Sequence, residues 1–225
     1  MPTVRVKPQL TPPRRPAKPP AAKTPAKPVP APVTGDVFEP PREFPTSPDG
    51  TRIYSQADLA WKKQILGKDL SIGRAGCAMV STAMAIGKIS GKPITPSELD
   101  DWLDQHKGYA GDSLDWSKAA AARDLKCQNE RFKLATIDAN LEAGKPCVIG
   151  VDYKQGGAGG PNGTDHWICL VAKETDAKGK VSYLANDPGT GRTVRLTPNA
   201  KGRLVSDGEA ALGKYVTTNM LMTFS

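Results

Sequence analysis

The chain has 225 residues, with 31 Lys or Arg against 23 Asp or Glu, so its formal net charge at pH 7 is +8. Seven of the bases and none of the acids lie in residues 1–35, which leaves 24 bases against 23 acids in the rest. Since a nucleic-acid-binding domain needs its basic charge on a folded surface, that class is not favoured. No run of about 18 apolar residues is present and no apolar signal region follows Met1, so neither a membrane span nor ordinary secretory export is expected.

The first 48 residues are set apart by proline, because they hold 15 of the 21 prolines. Proline lacks an amide donor and cannot continue a helix or a central strand, so this segment is predicted to be an extended arm. At about 3.1 Å per residue, residues 1–35 could span roughly 110 Å. The arm is either a flexible linker or a segment that becomes ordered against an acidic or grooved partner. We therefore divide the chain into an arm, residues 1–48, and a domain, residues 49–225.

Helical patterns occupy the first half of the domain. A short helix is predicted between Ser55 and Gly67, and residues 77–88 are apolar around most of the circumference, as in a buried central helix. Thr95, Pro96 and Glu98 form a capping-box signature that opens a helix ending near residue 106. A further helix is predicted over residues 114–124.

Short apolar runs bounded by Gly, Pro and charged residues follow the helices. They cover residues 147–151, 166–172 and 181–185, and their composition is typical of antiparallel strands. Helices followed by strands predict an α+β domain.

Cys77 is the first residue with a chemical signal. It follows Gly76 and begins the predicted central helix. The unpaired amides and the dipole at a helix N-terminus favour a thiolate, which is the nucleophilic form of cysteine. Considered by itself, a cysteine at this position is more often a small buried side chain that fills a gap in the core.

His166 heads the predicted strand 166–172, after a loop that contains five glycines. Because side chains alternate along a strand, His166 can point into a cleft while the residues after it pack in the core, which suits a general base. The glycines precede a strand rather than a helix, so they predict a flexible lid or a plain turn, not a phosphate-binding loop. The other histidine, His106, lies at a helix end and is assigned no role.

Asp187 lies just after the strand 181–185, before Pro188 and Gly189. An aspartate at this position is common in turns. It could also accept a hydrogen bond from the second ring nitrogen of His166 and so fix the imidazole for proton transfer from Cys77. Asn186 is the rival for this third position.

Motifs between about residues 53 and 198 resemble those of papain-fold cysteine peptidases related to the double-glycine-leader peptidases that process bacteriocins. The matching residues are Tyr54-Ser55-Gln56, Asp58, Trp61, Leu66-Gly67, Ile72-Gly73, Gly76-Cys77, Ser81, Ala83-Met84, Ile94-Thr95-Pro96, Glu98-Leu99, Trp102-Leu103, Gly108-Tyr109, Trp116, Gly144-Lys145-Pro146, Asp165-His166-Trp167 and Asn186-Asp187-Pro188. The resemblance implies a papain-like fold in which a cysteine on the central helix is the nucleophile.

The resemblance also implies residue roles: Cys77 as nucleophile, His166 as base and Asp187 as the residue that orients the base. Such peptidases use an upstream glutamine to stabilise the oxyanion, and Gln56 is the candidate here. Gln56 stands 21 residues before Cys77, farther than is typical of papain-like enzymes. Gln64 is nearer but lies within the predicted short helix, and Gln56 could instead bond the backbone at the start of that helix.

The remaining reactive side chains are interpreted as structural. Tyr109, Trp116 and Trp167 could line a cleft, but aromatics so far apart in sequence more often belong to a core. Three cysteines show no CxxC pattern and no Cys/His ligand spacing, so they are expected to be reduced core thiols: Cys127, Cys147 and Cys169. No metal and no cofactor is predicted.

Two classes of function are favoured. The first is a cysteine peptidase or amidase. The motifs look like those of phage and cell-wall hydrolases, so the expected substrate is a peptide of peptidoglycan and the expected location is a phage particle. Its arm would bind another protein of a large assembly; the bacterial cytoplasm and a non-classical extracellular location are the alternatives to the virion. The second class is a structural or adaptor protein of such an assembly with an inactive papain-like domain. Nucleic-acid binding through the seven cations of the arm is a third, less favoured hypothesis.

Overall fold

The computed structural model describes residues 42–154, 163–206, 208 and 211–225. These residues belong to one folded unit, Arg42–Ser225. Most of the predicted arm, residues 1–41, and most of the glycine-rich loop, residues 155–162, lie outside the described residues. No helix within the described part of the chain has the length and apolar character needed to cross a membrane.

Five helices lie in the described part of the unit, mostly in its first half. They are α1 (Ile72–Ala75), α2 (Cys77–Ser90), α3 (Pro96–Gln105), α4 (Trp116–Ala121) and α5 (Leu134–Glu142). Two small hairpins accompany them, formed by β1 (Ile65–Leu66) with β2 (Leu70–Ser71) and by β3 (Tyr109–Ala110) with β4 (Ser113–Leu114).

An antiparallel sheet forms the second half. Its strands are β5 (Cys127–Arg131), β6 (Cys147–Asp152), β7 (His166–Thr175), β8 (Val181–Asp187), β9 (Arg192–Pro198), β10 (Leu204–Ser206) and β11 (Val216–Phe224). Their order across the sheet is β10-β9-β8-β7-β6-β11-β5, and β10 also pairs with β11, so the sheet curls back on itself. The predicted α+β class and the predicted order of helices and antiparallel strands are confirmed.

The central helix α2 is the predicted one, longer by two residues. Its residues 79–87 are all buried, because the helix packs against β7 on one side and against α3 and α4 on another. It ends at Gly91, whose φ of 67° is the left-handed conformation that glycine adopts without strain. Apolar residues around most of the circumference of the predicted helix thus correctly indicate a helix that is buried on all sides.

The sheet separates two apolar clusters. The first, around α2, includes Cys169 and Val171 of β7. The second, which includes Ile137 of α5, contains Ile168 and Leu170 of the same strand. Because successive residues of β7 alternate between the two clusters, the strand is buried on both faces. His166 therefore begins a strand whose position is fixed from both sides.

The folded unit begins at Arg42 rather than at residue 49. The ring of Phe44 packs edge-on against Tyr54 with centroids 4.9 Å apart and lies 5.8 Å from Trp61. Arg42 forms an ion pair with Asp58. The prolines in this segment do not prevent its aromatic side chain from packing, so this part of the predicted arm lies against the domain.

The prediction of a short helix between Ser55 and Gly67 is wrong, since this segment consists of turns that lead into β1. The amides of Ile72 and Gly73 donate to the carbonyls of Gln64 and Lys62 at 2.8 and 3.0 Å. In a continuous helix the carbonyl of Lys62 would accept from the amide of Leu66 instead. Tertiary hydrogen bonds to the segment before Cys77 therefore replace the helical ones.

The other helices differ from prediction at their ends. Thr95 and Glu98 form the predicted capping box at the start of α3. The helix predicted over residues 114–124 is shorter, and its start is set by Asp115, which caps α4 by accepting from the amides of Ser117 and Lys118. Helix α5 was not predicted, and no side-chain cap marks its start at Lys133.

Candidate active site

Cys77 is the first residue of α2 and is half-buried. It follows a tight junction in which Gly76 ends α1 and begins α2. A Cβ at residue 76 would lie 2.5 Å from the carbonyl oxygen of Ile72, which is closer than real Cβ atoms approach backbone. The junction therefore requires glycine, and it places the Cys77 side chain at the positive end of a helix of 14 residues.

His166 is the first residue of β7 and is only 4% exposed. Its Nε2 lies 2.7 Å from Oδ1 of Asp187, which leaves Nδ1 for the neighbouring thiol of Cys77. Burial opposes the charged ring, but the hydrogen bonds and charges of Asp187 and Cys77 outweigh burial and raise the pKa of His166 to about 10. The surroundings thus favour an imidazolium, the form that pairs with a thiolate.

Asp187 is the last residue of β8 and has no exposed surface. Four donors surround its carboxylate: His166 Nε2 at 2.7 Å, the Tyr215 hydroxyl at 2.7 Å, the Gly189 amide at 2.8 Å and the Thr190 hydroxyl at 3.2 Å. Burial raises the pKa of Asp187, but the interaction with His166 and the other donors outweigh burial and hold it below its usual value. The carboxylate is therefore ionised although it is buried.

Asn186, the rival for this position, points elsewhere. Successive side chains of a strand lie on opposite faces, so Asn186 and Asp187 cannot both face His166. The Asn186 amide donates to the Ser47 hydroxyl at 3.0 Å, and its oxygen accepts from the Thr193 hydroxyl at 2.9 Å. The structure thus places Asp187, not Asn186, beside the imidazole.

A hydrogen bond between α2 and β7 fixes the nucleophile relative to the base. The hydroxyl of Ser81, one turn after Cys77, donates to the carbonyl of Trp167 at 3.1 Å. Trp167 directly follows His166. The bond therefore ties the helix that carries the thiol to the strand that carries the imidazole.

Gln56 is bonded to both sides of the site. Its Nε2 donates to the carbonyl of Gly73 at 3.1 Å, and its backbone amide donates to the carbonyl of Pro188 at 2.8 Å. One hydrogen of the amide group remains beyond this bond. The side chain of Gln64 instead donates to Ser97 of α3 at 2.7 Å, so of the two glutamines Gln56 is the one whose side chain bonds the segment before Cys77.

The three aromatics predicted to be core are partly buried and pack on the cluster around α2. The rings of Trp116 and Trp167 lie 4.8 Å apart, and the Tyr109 hydroxyl donates to Asp100 at 2.6 Å. His106 stacks on Trp102 with centroids 3.7 Å apart. None of these contacts links one of the aromatic rings to Cys77 or His166.

The other cysteines lie in different surroundings. Cys147 and Cys169 have no exposed surface, and Cys127 is half-buried. Burial raises the pKa of Cys127 to about 11 and that of Cys147 to about 12. The described residues contain no group of three or more His, Cys, Asp or Glu side chains arranged to hold a metal ion.

Two residues of the site carry roles that the sequence does not reveal. Ser81 belongs to the motifs quoted above, but its bond to β7 depends on how the helix packs on the sheet. Tyr215 precedes β11 in a segment to which no element was assigned. Its contact with Asp187 joins residues 28 positions apart, so no local pattern indicates it.

The arrangement has the parts of nucleophilic catalysis by a thiol. A half-buried cysteine stands at a helix N-terminus, beside a buried imidazole whose other nitrogen is bonded to an ionised carboxylate. A glutamine amide is bonded to the segment that leads to the cysteine. These groups can deliver a nucleophile, a proton donor and a hydrogen-bond donor to a carbonyl group.

No protein-family model matches the chain, and no curated protein sequence does. Among solved structures, the chain is similar to the peptidase domain of Streptococcus ComA, described as a bifunctional ABC transporter involved in a quorum-sensing pathway. The similarity covers 71% of this chain and 96% of that chain, at 12% sequence identity and a TM-score of 0.43. The site residues, and not this likeness, support the function proposed below.

Proposed function

We propose that the chain is a cysteine hydrolase of papain-like type that cleaves an amide bond, as a peptidase or an amidase. The observation that supports this most is the burial of His166 between the Cys77 thiol and the Asp187 carboxylate. A buried imidazole in contact with a carboxylate and a thiol is costly for a purely structural protein, because an apolar group would fill the space without unpaired polar atoms.

The first step forms an acyl-enzyme. The Cys77 thiolate attacks the carbonyl carbon of the scissile amide and gives a tetrahedral intermediate with a negative oxygen. The intermediate then collapses: the bond between carbon and nitrogen breaks, and the imidazolium of His166 transfers its Nδ1 proton to the leaving amine. The products are a thioester on Cys77, a free amine and a neutral imidazole.

The second step hydrolyses the thioester. Neutral His166 takes a proton from a water molecule, and the resulting hydroxide attacks the thioester carbon. The bond between carbon and sulfur breaks, which releases a carboxylic acid and restores the thiolate and the imidazolium. Asp187 accepts from Nε2 throughout, so the ring keeps one orientation in both steps.

Gln56 is proposed to stabilise the oxyanion together with the backbone amide of Cys77. The amide of Cys77 lies in the first turn of α2, where backbone amides have no partner within the helix. The second hydrogen on Nε2 of Gln56 is the side-chain donor. Loss of one such donor typically costs about 10²-fold or more in rate.

A peptide of peptidoglycan is the proposed substrate class, and a phage particle is the proposed location. The support is the likeness of the motifs around Gln56 and Thr95 to those of phage and cell-wall hydrolases. The basic Pro-rich arm suits a tether to another protein of the particle, because it carries seven of the chain's bases and no acid within 35 residues. If mass spectrometry did not detect the protein in purified virions, this location would be excluded.

The test of the enzymatic proposal is the rate of iodoacetamide labelling at Cys77 between pH 4 and pH 9, located by mass spectrometry. Labelling of the wild type is expected to be fast already near pH 5 and to slow greatly in His166→Ala. His106→Ala is the matched control, since it removes the chain's other histidine, which stacks on Trp102.

Labelling that rises only near pH 8.5 in every variant, as for a free cysteine, would contradict the proposal. The domain would then be a scaffold, and the arm would carry the function of a structural or adaptor protein. If labelling behaves as expected, release of free amines from purified peptidoglycan tests the substrate class. Denatured protein substrates serve as the comparison for a general peptidase.

A further inference from the structure

Tyr215 is a fully buried residue in direct contact with the carboxylate of the site. It has no exposed surface, and its hydroxyl donates to Oδ2 of Asp187 at 2.7 Å. The same hydroxyl accepts from the backbone amide of Leu212 at 3.0 Å. The ring lies 5.7 Å from the ring of His166. The hydroxyl therefore occupies the side of Asp187 that His166 leaves free.

The backbone holds Tyr215 in this position. Its amide donates to the hydroxyl of Ser206 at 2.8 Å, and its carbonyl accepts from the amide of Ser206 at 3.1 Å. Ser206 is the last residue of β10, the strand through which the sheet curls back on β11. The hydroxyl is thus fixed by the sheet and by Leu212, not by Asp187 alone.

We propose that Tyr215 is a positioning residue that holds Asp187 ionised and correctly oriented for His166. This inference rests on the proposed hydrolase function. Tyr215 acts through Asp187 and is not assigned any contact with substrate. The assignment adds a side chain to the four that the sequence implied, which are Cys77, His166, Asp187 and Gln56.

The chemistry of a tyrosine suits this role. Burial and the neighbouring Asp187 charge raise the pKa of Tyr215 above its usual value, so the hydroxyl stays protonated and always donates. A donated hydrogen bond stabilises the carboxylate form of Asp187 over the neutral form. The proton shared with His166 therefore stays on the imidazole, and Oδ1 remains its acceptor.

The chain contains a matched pair that serves as the control. Tyr183 is also buried, and its hydroxyl donates to Asp138 at 2.7 Å. Asp138 lies in α5 and binds Lys173 rather than a histidine. Both tyrosines belong to the same apolar cluster. Tyr183→Phe therefore removes a tyrosine–aspartate hydrogen bond of the same length from the same cluster without touching the site.

The experiment compares the pH dependence of Cys77 labelling in the full chain of Tyr215→Phe, Tyr183→Phe and wild type. Without the hydroxyl Asp187 loses a donor that orients its carboxylate, so it supports the imidazolium of His166 less well and the pH at which Cys77 labelling begins moves upward. We expect a shift of about one pH unit and a labelling rate near pH 5 lower by about tenfold in Tyr215→Phe. Tyr183→Phe should keep the wild-type profile.

Identical profiles for the two variants would overturn the role of Tyr215 while leaving the hydrolase proposal intact. The hydrolase proposal fails separately, if the wild type itself shows no labelling near pH 5. With a substrate in hand, Tyr215→Phe should lower kcat and leave KM nearly unchanged, because Tyr215 acts on the base rather than on binding.

Circular dichroism and thermal unfolding show whether Tyr215→Phe folds. If it does not fold, proton NMR of wild-type protein labelled at tyrosine asks the same question. A hydroxyl proton donated to a buried carboxylate exchanges slowly and should shift when Cys77 is alkylated. The assignment would be overturned if the Tyr215 hydroxyl proton exchanged as fast as those of exposed tyrosines. It would also be overturned if the resonance of this proton did not shift when Cys77 is alkylated.

Discussion

Cys77 and Cys169 show how two regions of one domain use the same side chain differently. Cys169 lies in the middle of β7 with no exposed surface, and burial raises its pKa well above the usual value. Cys77 lies at the N-terminal end of α2, half-buried and beside the imidazole of His166. The comparison teaches that position at an element's end, rather than residue type, separates the candidate nucleophile from a packing group.

The largest expected effect is on hydrolysis in Cys77→Ala. Removal of the nucleophile should lower kcat by about 10³-fold or more, because the remaining groups can only orient water. The free energy of unfolding should change little, since Cys77 is half-buried at the end of its helix. Amine release and urea unfolding measure the two quantities.

Cys169→Ala is the control for Cys77→Ala, because it should lower stability and leave hydrolysis unchanged. It leaves a small cavity in the cluster around α2, so the free energy of unfolding should fall by about 0.5–3 kcal/mol. Labelling of Cys77 and hydrolysis should stay near wild type. If Cys169→Ala abolished hydrolysis in folded protein, the contrast between the two regions would be wrong.

Asp187→Asn should have the next largest effect. The neutral amide no longer favours the imidazolium, so hydrolysis should fall by about 10²- to 10⁴-fold. Asn186→Ala is the matched control on the next residue of β8. It should cost about 1–3 kcal/mol of stability, because Ser47 and Thr193 lose their buried partner, and leave the labelling profile unchanged. Loss of Cys77 labelling near pH 5 in Asn186→Ala alone would favour Asn186 as the third member.

The last prediction concerns the pH dependence of stability. The folded pKa of His166, about 10, lies above its usual value near 6.5, so its contribution is complete below about pH 6.5. The contribution should be lost as pH rises from there towards about 10. The difference in unfolding free energy between wild type and His166→Gln should therefore shrink over this interval in urea titrations. A difference that stays constant from pH 6 to 10 would contradict the raised pKa.

Much of the fold could be predicted from local sequence signals. Local patterns were enough to predict five elements. These patterns are the apolar circumference of α2, the capping box of α3 and the apolar runs of β6, β7 and β8. Strand β5 could not be predicted, because its sequence is polar and mostly exposed and it becomes a strand only by pairing with β11. Strand β9 carried a usable signal in the alternation of buried Val194 and Leu196.

The candidate site divides in the same way. Cys77 is marked by Gly76 and the helix start, and His166 by the strand start, so both could be named from sequence. The choice between Asp187 and Asn186 required strand register, because β8 runs two residues farther than predicted and includes both. Tyr215 required the curl of the sheet, which no single segment encodes.

The hydrogen bond from Ser81 to the carbonyl of Trp167 bears on whether the site can come apart before the domain unfolds. It joins a helix whose residues 79–87 are buried to a strand covered on both faces. Backbone amides in such elements exchange their hydrogens with solvent only when the whole domain opens. The thiol and the imidazole should therefore separate in the same cooperative event that unfolds the protein, and the lifetime of the working site is the lifetime of the fold.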